Sequence, residues 1–429
     1  VDVAFVGNLT VLFAQQTTVE LSTNTLIRWV IWLLPIFMLA FPLVVAYMVW
    51  GERKVAARFQ DRIGPNRVGP LGLLQPIADL IKLLTKENIV PRKADQWVHL
   101  LAPVVILISA FLVMAVIPFG IGLAPVNLPA GMVYLVAVSG LSPLGVFLAG
   151  WSGRNKYSLL GAMRSVAQLV SYEVPQVLAT IPVVLWAGSL SLNDILTKQI
   201  THQWFILSPP GLVSFTILLI ASIAEVNRTP FDLPEAESEI IAGFHTEYSG
   251  MRFGLFFLAE YLSVFAVSCL IAVLFLGGGT MVPWSGFPAG VLGETDSTYL
   301  PPSTGLVGWS LINLALVAIF MVKVSGFIFV MFWIRATLPR MRVDRLMNFA
   351  WKSLVPVSIA NVFIAAVWYE MYLRDGSPMF GSWWLNALVA WLVTGALELI
   401  VLGLVSWANR RSKGLAESPF ALTAAARSA

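Results

Sequence analysis

The sequence predicts an all-α polytopic membrane protein of about nine transmembrane helices, with one short amphipathic helix in the interface after the first. Three observations predict it. Of 429 residues, 58% are hydrophobic and only 12% charged, where an average globular chain has about a quarter charged. Apolar runs of about 20 residues, long enough to cross a bilayer, recur along the whole chain. They lack the alternating ten-residue pattern of a membrane barrel, the one other spanning backbone that satisfies its hydrogen bonds in lipid.

The spans are read at residues 26–50, 97–121, 130–150, 159–187, 205–224, 254–277, 308–334, 351–370 and 382–408. Basic residues test this count. If the connection after the first span faces one side, that side collects 23 lysines and arginines, whereas the other holds only Arg28, Lys198 and Arg374, with Lys323 inside a span. The positive-inside rule makes the basic side cytoplasmic. Residues 1–25 then form a periplasmic extension, and they show neither a cationic start nor a cleavage site, so no signal peptide is read there. Residues 26–370 are a core of eight spans, 371–409 an additional transmembrane helix, and 410–429 a cytoplasmic tail.

Chemistry is narrowed by what the residues lack. One cysteine, Cys269, excludes a disulfide framework and an all-cysteine iron–sulfur cluster within the chain. His99, His202 and His245 are not paired at mid-membrane as a bis-histidine haem needs. Neither a nucleotide loop nor metal-ligand spacing is present, and the net charge of +4 reports topology, not a nucleic-acid partner. Electrons, if the protein handles them, come from partners.

In the first basic connection, residues 51–96, Gly64-Pro65 and Gly69-Pro70 mark turns. After them Leu73, Leu74, Ile77, Leu80, Ile81 and Leu84 recur at helical spacing, with Gln75, Asp79, Lys82 and Lys86 on the opposite face. Such a helix lies in the interface plane. It is either a plain surface anchor or the doorway of a site receiving an amphiphile from the bilayer, with Asp79 meeting a head group or an arginine.

The second connection, residues 225–253, is acidic. Glu225, Asp232, Glu235, Glu237, Glu239, Glu247 and Glu260 crowd into a chain that has 23 acids in all. Pro230 and Pro234 interrupt a simple helix. Like charges and partial burial raise one another's pKa, so the cluster is either a solvated loop or a group that holds and passes protons near neutral pH. Ionisable groups within spans favour the second reading, because a charge at the bilayer centre costs about 2.5–3.5 kcal/mol and usually faces a partner or a wet route. These are Glu173, just before Pro175 where proline often breaks a helix, Glu260, Lys323 and Glu398.

Four segments then carry a resemblance: GERK at 51–54, RIGPNRVGPLGLLQPIADLIKLLTKE at 62–87, AEVNRTPFDLPEAESEIIAGFHTEYSGMRFGLFFLAEY at 224–261 and FWIRATLPRMRVDRLM at 332–347. They closely resemble the H subunit of bacterial complex I, the proton-translocating NADH:quinone oxidoreductase. The resemblance implies a bacterial inner-membrane protein with its N-terminus periplasmic and C-terminus cytoplasmic. Such a protein joins the peripheral and membrane parts of the complex and helps form a chamber for the substrate quinone. Flavin and iron–sulfur clusters are implied on partner subunits and none on this chain. The acids implied in the proton and coupling route are Glu173, Glu225, Asp232, Glu235, Glu237, Glu239, Glu247 and Glu260. Those implied for the quinone chamber are Glu52, Arg53, Arg62, Asp79, Arg228, Phe253 and Arg335. One departure is Val343, where family members commonly carry tyrosine, which puts a tyrosine role there in question. Glu398 inherits no role.

Related readings share this pattern: a ferredoxin- or reduced-F420-driven quinone reductase, or a membrane-bound hydrogenase. An independent transporter predicts inverted repeats, which the sequence does not display, and a passive anchor predicts tolerance to neutralising every loop acid.

Overall fold

The computed structural model describes residues 41–120, 125–201, 203–232, 243–280, 305–373 and 383–416. Among them every regular element is helical. In chain order these are α1 (Phe41–Phe59), α2 (Gln75–Thr85), α3 (Gln96–Met114), α4 (Gly131–Ser139), α5 (Leu141–Ser152), α6 (Lys156–Ala187), α7 (Leu192–Thr201), α8 (Pro209–Glu225), α9 (Gly250–Phe275), α10 (Gly305–Thr337), α11 (Val343–Phe349), α12 (Val355–Trp368) and α13 (Trp383–Ala416). Seven helical stretches among them are long and apolar enough to span a bilayer; α4 with α5 makes one, and α11 with α12 another through a π-turn at Ala350–Leu354. The expected span at 205–224 is the 17-residue α8, and the first span is described only from Phe41. The protein is an all-α, multi-pass membrane protein.

Two local readings differ from the sequence expectation. α1 does not stop near residue 50 but runs on to Phe59, so Glu52 and Arg53 stand on a helix and not in a loop. Pro175 does not break its helix either. α6 continues for 32 residues through both Pro175 and Pro182, which packed neighbours make tolerable in a membrane helix.

The core is centred on α9. α9 is wrapped by protein along most of its length, whereas α13 is mainly exposed. Tyr172, Phe275, Phe320 and Leu262 are among the fully enclosed side chains. Close approach needs small residues where α6 meets the turn Gly243–His245 of the acidic connection: a Cβ on Gly161 would lie 2.8 Å from the Gly243 Cα, closer than real contacts allow. α6 begins on Asn155, whose Oδ1 accepts from the Tyr157 N–H at 3.0 Å, an N-cap.

Lys323, the cation inside a span, closes the far end of α9. Its Nζ donates to the carbonyls of Leu276, Gly278 and Thr280 at 2.7, 2.8 and 2.6 Å, and it lies 4.2 Å from the centre of the Trp204 ring. The ammonium thus satisfies the carbonyl of the C-cap residue Leu276 and two carbonyls of the turn that follows α9. Lys323→Met is expected to leave them unsatisfied at about 1–3 kcal/mol per buried group, lowering the thermal midpoint of the purified complex; an unchanged midpoint contradicts the cap.

Candidate functional site

The segment after α8 carries the centre of the site. The helix ends at Glu225, and the chain turns through Asn227 in the left-handed region, φ 53°. This turns Arg228 back into the bundle, where its side chain is only 7% exposed. Its Nε lies 2.9 Å from Glu260 Oε1 on α9 and its Nη1 3.3 Å from Glu52 Oε1 on α1, while the guanidinium stacks 4.3 Å from the Tyr261 ring centre. The Nε contact is a charge contact and not an aligned hydrogen bond. Arg335, on α10, reaches the same Glu52 oxygen. Burial works against the charge on Arg228, but Glu260, Tyr261 and Glu52 outweigh it and hold the guanidinium still more firmly protonated.

Beside this network lies a cavity of about 50 Å³, walled in part by Glu225, Asn227, His245, Phe256, Glu260 and Ser263. At roughly 10–15 Å³ per water on this measure, it has room for a few. Glu225 and Glu260 therefore share one space. Glu225 is hydrogen-bonded to Gln176 and lies close enough to Glu173 for their charges to interact, and its Oε2 is buried without a partner. Glu173 extends the acids along α6, with Oε1 against the break at Gly140.

His245, on the cavity wall, is packed among Phe244, Phe253, Phe256 and Phe257. Burial lowers its pKa to about 3, so it stays neutral at working pH. An unfolded histidine protonates near 6.5. Between about pH 6.5 and 3 the unfolded chain therefore binds the extra proton, and stability falls as pH falls. His245→Phe is expected to flatten the acid side of a curve of thermal midpoint against pH; a curve as steep as the native one contradicts this.

The remaining residues fall elsewhere. Asp79, on α2, pairs with Arg53 at 2.6 Å, accepts from Gln75 at 3.1 Å and lies 3.7 Å from Lys82, so it meets an arginine as one sequence reading allows. This pair lies on the polar side of α2, whose Ile77, Leu80, Ile81 and Leu84 present an uncovered apolar face. Arg62 donates to Gln60 at 2.7 Å on the surface and stands apart from the network. Asp232 pairs with Arg340 at 3.2 Å, and the Met341 N–H donates to the Pro230 carbonyl at 3.0 Å, docking the segment after α10 on the turn. Phe253 packs against Phe257 with the rings tilted and their centres 4.7 Å apart. Glu247 is not on the cavity wall; it accepts from Asn155 Nδ2 at 2.7 Å, near a stack of His99 on Tyr248 with ring centres 3.9 Å apart. Burial pushes the Tyr248 phenol up to about 12. Glu235, Glu237 and Glu239 lie outside the described residues.

Sequence reading misses Arg340, Tyr261 and the cavity-wall position of His245. Arg340 carries a signal, as a cation in the segment that resembles the family. Tyr261 and His245 also lie in a resembling segment, 224–261, but an aromatic in an apolar helix and a lone histidine read as core.

Residues 32–366 match the family described as NADH dehydrogenase. The NADH-quinone oxidoreductase H subunit of Dehalococcoides mccartyi (strain CBDB1) is 50% identical over 322 residues, covering 75% of this chain and 82% of that protein. The H subunit of Bacillus mycoides (strain KBAB4) is 46% identical over 329 residues, covering 76% and 90%. That of Brevibacillus brevis (strain 47 / JCM 6285 / NBRC 100599) is 46% identical over 323 residues, covering 75% and 88%. With its helices, its buried charges and these relatives taken together, the chain belongs to the NADH dehydrogenase family, as a membrane component of NADH-quinone oxidoreductase (complex I) of the H-subunit kind.

Proposed function

We propose that this chain encloses part of the chamber in which quinone is reduced and carries an acidic route that couples the reduction to proton pumping. The observation that supports it best is Arg228, which touches Glu52 on one side and Glu260 on the other. Glu52 belongs with Arg335 to the charged side that the doorway pair Arg53–Asp79 introduces. Glu260 belongs with Glu225 to the cavity. One guanidinium thus links the two groups of residues.

A quinone head group enters past the apolar face of α2, and partner subunits bearing flavin and iron–sulfur clusters deliver its electrons. Two electrons and two protons convert it to quinol. Negative charge and proton uptake near Glu52 and Arg335 shift the balance of Arg228 between its two carboxylates. Glu260, Glu225 and Glu173 respond as one coupled group, since interacting acids titrate together. Asp232 and Glu247, and with them Glu235, Glu237 and Glu239 of the same acidic sequence, are assigned to this route as its further acids. The basic side faces the cytoplasm of a bacterial inner membrane, with the N-terminus periplasmic and the C-terminus cytoplasmic.

Glu225→Gln and Glu237→Gln test the route. Assembly and NADH oxidation by artificial acceptors are expected to stay intact, while quinone-linked turnover and pumping fall by at least about tenfold. Native quinone reductase activity and pumping in both variants would refute the reading.

A further inference from the structure

Gln168, on α6, is fully enclosed and has no place in the chemistry above. Its Nε2 donates to the carbonyl of Ala224 at 2.8 Å and to that of Phe231 at 2.7 Å, with Asn227 Oδ1 farther off at 3.4 Å. Two short contacts to carbonyl oxygens fix the amide orientation, because an amide oxygen facing them would repel. An NH2 group has two hydrogens, and here both are committed to backbone. The other end, Oε1, is buried without a hydrogen-bond partner, so the donor end alone accounts for the residue.

The two carbonyls bracket Glu225 and Arg228. The chain between them is not a regular helix that would hold its own shape: it contains the left-handed Asn227 and leaves α8 at Glu225. α6, from which Gln168 reaches across, also carries Glu173. A single carboxamide therefore ties the helix of one acid to the turn bearing the next acid and the bridging arginine.

We propose that Gln168 is a positioning residue of the coupling route, holding Glu225 and Arg228 at the spacing from Glu173 and Glu260 on which proton transfer between them depends. This rests on the function proposed above. The charged groups around the turn are Glu173 from α6, Glu260 from α9, Glu52 from α1, Arg335 from α10, and Asp232 on the turn itself with Arg340 from the segment after α10, with His245 neutral. Coulomb interactions among them vary inversely with distance, so a shifted turn changes how they titrate and not only how stably they pack.

The test uses the assembled complex in membranes. Gln168→Met keeps the length and removes both donors; Gln168→Glu leaves at most one donor, and only while protonated. For Gln168→Met the expected result is native assembly by artificial-acceptor activity, an unchanged quinone KM, a kcat lowered by about tenfold and a displaced pH profile of kcat. Gln168→Glu is expected to lose turnover steeply as pH rises, and it decides the matter if the methionine variant does not assemble. A kcat that falls only in proportion to assembly, with the native pH profile, overturns the positioning role. Native behaviour of the Gln168 variants beside an impaired Glu225→Gln also overturns it while leaving the proposed function standing. If Glu225→Gln is native as well, the proposed function falls with it.

Discussion

Arg228→Met is expected to lower quinone-linked turnover by about a hundredfold or more while the complex still oxidises NADH with artificial acceptors. The side chain is 7% exposed and neighbours two carboxylates of which Glu52 is itself buried. Removing the cation from such a group costs about 3–5 kcal/mol of stability, because charges stay buried without their counter-ion, and a hundredfold loss of rate needs the barrier raised by about 2.7 kcal/mol. Arg335 still reaches Glu52, so the loss falls on the link to Glu260. Arg228→Lys restores the charge but not the planar fork that serves two partners at once, so it is expected to recover only part of the turnover. Equal turnover in native and methionine complexes would contradict the link.

The second large effect is expected at Glu260. Glu260→Gln takes the charge from both the Arg228 contact and the cavity, and turnover is expected to fall at least as far as in Glu225→Gln. The two acids share one space, so the double variant should lose far less than the product of the two single losses, the signature of residues acting as a unit. Multiplicative losses would show that Glu225 and Glu260 act separately.

Much of the architecture is legible in sequence because lipid imposes a simple demand, about 20 apolar residues per helix. The amphipathic helix is equally plain, since alternating faces leave a period in the sequence, and Asp79 finds Arg53 as its position on the polar face allows. What sequence does not show is direction and distance. Glu52 looks like a loop acid until α1 is seen to run past it and turn it inward. Lys323 reads in sequence only as a charge that needs a partner or a wet route, and its partners are backbone carbonyls, which leave no mark in a sequence. Glu247 belongs by position with the other loop acids, yet it binds Asn155 away from the cavity. Gln168 is invisible for the same reason as Lys323: both its short partners are main-chain atoms.

Infrared difference spectroscopy of the assembled complex on quinone reduction follows a carboxyl proton itself. The native complex is expected to show a change in the carboxylic acid C=O stretch that disappears in Glu225→Gln. It should persist in Glu398→Gln, whose carboxyl is also buried but lies on α13, outside the cavity wall. An identical band in native and Glu225→Gln complexes, at full quinone reduction, would contradict proton movement through this group.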